Sequence, residues 1–551
     1  MSFYTNIGRY GNQILYRGYS DNGNPITHKY KFSPTLFVPD NSNKETDWTT
    51  LEGQPVAPMK FDTMREARDF MQRYENVVGF NFWGNTNYLH QFITDKFPGD
   101  IKFNRSFVNV ANLDIEVYSD AGFPTPEEAL HPITAITLKT SRSEVYHVWG
   151  LKDWDINKTQ HKTLLIQYHK CESEVELLVK FLTFWKKDYP DAITGWNVRF
   201  FDMPYIINRI ARIGDSKAAE MLSPWGLIGK KSVQFKNKNM DMYDITGIAQ
   251  LDYYDLFQKF GYSYGAQESY KLDHIAYVVL GERKLSYEEY GSLRNLYNEN
   301  HQLYIDYNIK DVELIERIDQ KMDLITLCLT IAYKAGVNYS DAFGTTSIWD
   351  SIVYRELNTK RVAIPHRSHA EKIDVKFAGG YVKEVKPAMY KWVVSFDLNS
   401  LYPNIIAQWN MSPETLLKGH GDMLQSSVEH YLNNKPTRDD VAVAANGSMY
   451  KKDAQGVMPK IIVDYYAERT VIKKEMLAAQ SAYQKTPTPE IEREINQLNN
   501  RQMAIKILLN SLFGALGNQY YRYFDLRIAE GITLTGQFVI KWCERTVNAE
   551  L

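Results

Sequence analysis

Residues 110–120 read Val-Ala-Asn-Leu-Asp-Ile-Glu-Val-Tyr-Ser-Asp, in which Leu113, Ile115 and Val117 alternate with Asp114 and Glu116. This period of two predicts a strand with its apolar side chains on one face and both carboxylates on the other. A different pattern, apolar and β-branched throughout, runs from Trp392 to Phe396 and predicts a buried strand ending on Asp397. Residues 1–107 alternate short strand-like runs with polar turns at 22–25 and 40–46, and 63–74 has the spacing of an amphipathic helix. Helical spacing over 304–315 sets Tyr307 and Asp311 four apart on one face. From about 324 the chain turns helical. A long helix is predicted over 458–480, the two prolines of 484–490 break it, and a second over 491–519 runs back as a helical hairpin.

Composition narrows the classes. A chain of 551 residues is too long for one core, so about three or four domains are expected. No run of about 18 apolar residues predicts a membrane span, and the N-terminal residues lack the basic and apolar regions of a signal peptide. Cys171, Cys328 and Cys543 stand far apart, which argues against a disulfide framework or zinc site and fits a reducing cytoplasm. The formal charge of −2 carries no global nucleic-acid signal, so any DNA contact must come from local basic faces.

Candidate chemistry concentrates in a few stretches. Asp114 and Glu116 side by side are costly unless a cation sits between them. An Asp-x-Glu alone is more often a solvated strand face. Here it is followed by Asp202 and by Tyr307-x-x-x-Asp311, over roughly 200 residues. Asp397, a tight polar turn and Pro403 form a second candidate: a carboxylate at a sheet rim can hold a divalent cation, with backbone amides beside it for a phosphate. Arg469 and Lys473 share a helix face that suits a polyphosphate or is simply a solvated basic stripe. Gly379 and Gly380 allow close backbone approach or form an ordinary loop. The stretch 226–232 approaches a phosphate-binding P-loop but fails its spacing, because Pro224 stands where the first glycine belongs and Lys231 intervenes before Ser232. With 233–243 it reads as a hairpin with a polar turn.

"SFDLNSLYP" (395–403) resembles motif A of the family B DNA polymerases, and "KILLNSLFG" (506–514) resembles their motif B. The acidic segments follow the order of 3′→5′ exonucleases with a ribonuclease-H-like fold. Within the family the chain resembles the replicative enzymes of T-even-type bacteriophages. The resemblance implies that Asp397, with Leu398 beside it, binds two catalytic Mg2+ ions, for which Mn2+ can substitute. It implies that Leu398, Asn399, Ser400 and Leu401 line the nucleotide, and that Tyr402 packs under the incoming sugar and excludes a 2′-hydroxyl. Lys506 would meet the triphosphate and protonate pyrophosphate, while Asn510 and Gly514 leave room for the nascent base pair. Phe513 stands where the family has tyrosine, so stacking is kept and a hydroxyl hydrogen bond is lost. In the exonuclease, Asp114, Glu116, Asp202 and Asp311 would hold two Mg2+ ions, Tyr307 would orient water and Lys284 would contact the scissile phosphate. Asn197 and Phe201 would grip the frayed strand, and Gly379 and Gly380 would touch single-stranded template. The hairpin at 226–243 would help part primer from template, though it is short for that role.

The fold class implied is a mixed α/β multidomain chain. Its parts are an N-terminal mixed domain (1–107), a ribonuclease-H-like exonuclease domain (108–323) and a return segment (324–368). A partial palm (369–454), helical-hairpin fingers (455–518) and a palm continuation (519–551) follow. Motif C, a Tyr-Gly-Asp-Thr-Asp-Ser turn with the second metal-binding aspartate, does not occur in the sequence. The chain is therefore expected to be either a truncation or one subunit of a split polymerase whose second chain brings motif C and the thumb. The expected partners are that chain, primer–template DNA, dNTPs and, indirectly, the sliding clamp and other replisome proteins, in the cytoplasm of an infected host. The alternatives are a stand-alone 3′→5′ exonuclease and a non-catalytic nucleic-acid-binding translational regulator.

Overall fold

A computed structural model describes residues 2–40, 47–75, 77–119, 122–235, 238–366, 377–417, 428–434 and 438–550. The expected turn at 40–46 and the tip of the hairpin at 226–243 fall largely outside them. The chain forms two compact units, one of Met1–Lys31, Ile101–Leu329 and Asn338–Phe343, the other of Phe32–Asp100, Thr330–Val337 and Gly344–Leu551.

The first unit is built on a mixed six-stranded sheet. Its order is Leu165–Lys170, Val145–Gly150, Ile133–Thr140, Val110–Val117, Ala192–Thr194, Ala249–Gln250. The three strands Val110–Val117, Ile133–Thr140 and Val145–Gly150 are antiparallel, and the remaining pairings are parallel. Alternation along Val110–Val117 works as predicted. Leu113 and Ile115 enter a core under the helices Glu174–Lys187 and Asp202–Ile213, which contribute Phe181, Trp185 and Ile206. The opposite face is covered by the long helix His301–Met322, whose Tyr304, Ile305, Ile309 and Val312 pack on Ala135, Tyr146 and Val148. Asn112 Nδ2 donates to the Val312 carbonyl at 2.8 Å and locks strand to helix. A register shift between Glu116 and Val117 marks a bulge beside the carboxylates.

A three-stranded antiparallel sheet, Phe3–Tyr10, Gln13–Tyr19 and Pro25–Lys31, docks on this unit through buried Asp191. That carboxylate accepts from Thr5 Oγ1, the Tyr19 hydroxyl and the Asn109 amide at 2.7–2.8 Å. The predicted hairpin is present as antiparallel strands Ile228–Phe235 and Lys238–Ile245.

In the second unit a four-stranded sheet is ordered Val362–Ala363, Trp48–Thr50, Pro55–Lys60, Thr35–Pro39. The helix expected over 63–74 spans Met64–Tyr74 and is capped by Thr63, whose side chain accepts from the Glu66 amide. The helical hairpin is also present, as Val457–Lys485 and Pro489–Leu516, with Thr488 capping the second helix and proline in its first turn. Its base is tied down by Lys334, which pairs with Glu468 at 2.7 Å, and by Trp349 Nε1 donating to Ser511 Oγ at 3.0 Å.

One expectation is corrected. Residues 377–400 contain neither helix nor strand, so the apolar run before Asp397 is not a buried strand: Trp392 is 91% and Phe396 70% exposed. The cause is the lack of a neighbour. A strand is stable only as part of a sheet, and among the described residues no strand pairs with 392–397.

Candidate active site

The carboxylates converge in the first unit. Asp114, Glu116 and Asp311 each offer an oxygen within 4.8 Å of the others. Two chain features achieve this. The strand's period of two aims Asp114 and Glu116 at the helix above it, and the helix returns Asp311 one turn after Tyr307. Asp202 opens the helix Asp202–Ile213, where the N-terminal dipole favours a carboxylate, and its Oδ1 accepts from the Ile115 amide at 3.1 Å, between the other two.

Crowding shows in the acidities. Burial first, then the Asp311 carboxylate, pushes Glu116 up to about 8. Asp202 is also pushed up to about 8, by burial working against the Ile115 hydrogen bond. Asp114 is raised by burial and by Asp311, Asp202 and Glu116 together. Asp311 is ion-paired at Oδ2 by Lys284 Nζ, while its buried Oδ1 has no hydrogen-bond partner. An orphaned carboxylate oxygen, neighbouring carboxyls pushed up for want of positive charge, and an all-oxygen donor set fit a hard divalent cation.

Around this centre, Lys284 Nζ lies 4.5 Å from the Tyr307 ring centre. Burial raises the Tyr307 hydroxyl pKa, so it stays a donor. Asn197 adopts φ +67°, a left-handed conformation that asparagine tolerates better than most residues. Phe201 contacts the exposed Phe123 at 5.1 Å between ring centres.

Sequence reasoning missed two supports here. Asp252 accepts from the Asn197 and Arg199 amides at 2.9 Å and so shapes the loop that leads into Asp202. Asn308 and Thr137 form a second support, under Asp114. Asp252 lies 55 and 53 residues from the two amides it holds, a spacing that carries no signal. Asn308, three residues before Asp311 in a helix that buries that face, was detectable as a polar residue where an apolar one belongs.

In the second unit, Tyr402 and Phe513 are brought together, their ring centres 4.6 Å apart. Tyr402 lies on the helix Leu401–Gln408 and is approached closely by two glycines. A Cβ at Gly536 would come 2.9 Å from its ring and one at Gly380 3.0 Å from its hydroxyl. Gly536, in the helix Leu526–Glu550, is a further residue missed in the sequence. Gly379 presents its carbonyl to Gln537 at 2.7 Å. Arg469 reaches Gln502, one turn before Lys506, at 3.3 Å, and Lys473 is exposed. Asn510 and Gly514 are exposed on the second hairpin helix. Leu398, Asn399 and Ser400 precede the helix that starts at Leu401, with Ser400 at φ +48°. Asp397 is exposed and belongs to no three-carboxylate cluster among the described residues.

A ribonuclease-H-like mixed sheet with a carboxylate cluster on one strand and the helix above it defines a divalent-metal-dependent nuclease domain. Comparison with known proteins places that domain in a larger enzyme. Residues 92–275 match the exonuclease domain of DNA polymerase family B, and residues 344–551 match DNA polymerase family B itself. The chain is 34% identical to the DNA-directed DNA polymerase of Escherichia phage RB69, covering 100% of this chain and 67% of that one. It is 33% identical, with the same coverage, to the DNA-directed DNA polymerase of Enterobacteria phage T4. The DNA polymerase delta catalytic subunit of Drosophila melanogaster is 25% identical over 69% of this chain and 34% of its own length. The chain belongs to DNA polymerase family B. It is a DNA-directed DNA polymerase with an exonuclease domain, related to those of T-even-type phages. No helix among the described residues is long and apolar enough to cross a membrane.

Proposed function

We propose that the first unit proofreads, removing nucleotides from the 3′ end of a mispaired primer, with Asp114, Glu116, Asp202 and Asp311 holding two Mg2+ ions or Mn2+ in their place. The carrying observation is the convergence of Asp114, Glu116 and Asp311 under the helix His301–Met322. When bound, the ions supply Lewis-acid activation of water and stabilise charge on the leaving 3′ oxygen. Tyr307 orients the attacking water through its hydroxyl. Lys284 exchanges Asp311 for the scissile phosphate, and Asn197 with Phe201 holds the unpaired strand. The domain limits expected from the sequence are retained in this reading.

In the second unit, Asp397 and Leu398 are proposed to bind the polymerase metals, and the turn Leu398–Leu401 the triphosphate, with Arg469, Lys473 and Lys506. Tyr402 and Phe513, in tilted ring contact, form a wall that excludes a ribose 2′-hydroxyl and supports the nascent pair beside Asn510 and Gly514. Gly379 and Gly380 bring backbone to the template. The uncovered run Trp392–Phe396 supports a further reading: a second chain, carrying motif C and the thumb, completes the palm over this surface in the infected cell's cytoplasm. Through that assembly the clamp and replisome would be engaged.

One gel tests these assignments: the purified chain, Mg2+, a 5′-labelled primer–template and all four deoxynucleotides. The expected result is a primer shortened from its 3′ end and not extended. Extension by this chain alone would overturn the second-chain reading. Neither shortening nor extension would overturn the exonuclease reading and leave nucleic-acid binding as the function.

A further inference from the structure

We infer that Asn308, oriented by Thr137, is a positioning residue that fixes how the Asp114 carboxylate is presented to the metal centre. The inference rests on the proposed role of Asp114 and adds to it two residues outside the motifs. Asn308 is fully buried on the helix His301–Met322, and its Nδ2 donates to Asp114 Oδ2 at 2.6 Å. Thr137, also fully buried, donates its hydroxyl to Asn308 Oδ1 at 2.5 Å. A carboxylate can only accept, so the amide must turn its NH2 toward Asp114, and its carbonyl then needs a donor, which Thr137 supplies.

The three residues form a closed triangle in the fold. Thr137 is the cross-strand partner of Asp114, so the two side chains share one face of the sheet. Asn308 sits three residues before Asp311, so one helical turn carries both a cluster carboxylate and the prop of another. The Asn112–Val312 bond fixes the register of that helix on the strand. A buried amide is worth less to a core than an apolar side chain of similar size unless it is satisfied. Here both its ends are satisfied, and the group its donor end meets is a carboxylate of the metal cluster.

The test uses the full chain as Asn308→Ala, Thr137→Val, Thr137→Ser and Asp114→Ala, with Mn2+ binding read by electron paramagnetic resonance without DNA. Partners that orient metal-binding groups are typically worth about 10–100-fold in metal affinity. Asn308→Ala should therefore weaken Mn2+ binding by about 10-fold or more, and raise the half-saturating Mn2+ concentration for primer degradation more than it lowers kcat. Thr137→Val should shift both in the same direction by less, and Thr137→Ser, which keeps the hydroxyl, should restore them. Wild-type Mn2+ affinity in both Asn308→Ala and Thr137→Val overturns the inference, provided Asp114→Ala abolishes binding. If Asp114→Ala itself binds Mn2+ and degrades primer normally, the metal-centre reading has failed instead. Should Asn308→Ala not fold, the Val and Ser variants at 137 decide, since a purely structural hydroxyl would leave the Mn2+ titration unmoved.

Discussion

The segments 110–117 and 392–397 both set apolar, β-branched residues around an aspartate, yet they occupy opposite environments. In the first, Leu113 is fully buried and Asp114 faces a helix that closes the cluster. In the second, Trp392, Val393, Val394 and Phe396 are exposed, and so is Asp397. The first strand has a hydrogen-bonded neighbour on each side, Ile133–Thr140 and Ala192–Thr194. A strand's apolar face and its backbone groups are both satisfied only by neighbours, so the same local recipe yields a strand in one case and none in the other. What separates the two segments is the sheet around the aspartate.

The largest effect expected from this contrast is catalytic. Asp114→Ala or Glu116→Ala should lower primer degradation by more than about 100-fold, the upper end for residues that only support metal-binding groups. Asp397→Ala should leave degradation by the isolated chain unchanged. Equal losses in a labelled-primer assay would break the distinction between the two centres. Stability should follow the same divide. Leu113→Ala removes a fully buried side chain and should destabilise the first unit by about 2–5 kcal/mol in a denaturant titration. Phe396→Ser, on the exposed run, should change stability by less than about 0.5 kcal/mol. A large loss at Phe396 would mean that the segment is buried in solution.

Next in size is a pH effect on the metal-free protein. Glu116 and Asp202 are held up to about 8 when folded, well above an ordinary carboxylate. Raised groups contribute stability that is present below the ordinary value and lost as pH climbs to the folded one. The metal-free Tm should therefore fall between about pH 4 and 8, and added Mg2+ should raise it more at the top of that window than at the bottom. A Tm that Mg2+ leaves unmoved at high pH would speak against cation binding at the cluster. The smallest expected effect concerns the second unit alone. Phe513→Ala should lose about 0.5–1.5 kcal/mol of ring contact with Tyr402 beyond the area it buries, while Phe513→Tyr keeps the contact and should be near neutral in a thermal melt.

Much of the candidate site was legible because it is local. Alternation set Asp114 and Glu116 on one face, a four-residue spacing set Tyr307 and Asp311 on another, and prolines at 487 and 489 marked the turn of the helical hairpin. Asp252, Thr137, Asn308 and Gly536 were not read as functional, because each acts on a residue distant in the chain, and distance in sequence carries no pattern. The strand expected before Asp397 failed for the same reason. β-Branched residues favour a pleated, half-buried surface, and the preference does not provide one.

By itself, then, the sequence determined the family, through its motifs, and the strand at 110–117 and the helices at 63–74, 304–315, 458–480 and 491–519, since a period depends only on residues within a few positions of one another. Only the tertiary structure decided which carboxylates share a centre and what holds them there. It also decided which apolar run is buried, because burial and hydrogen bonding between strands are properties of neighbours and not of the strand.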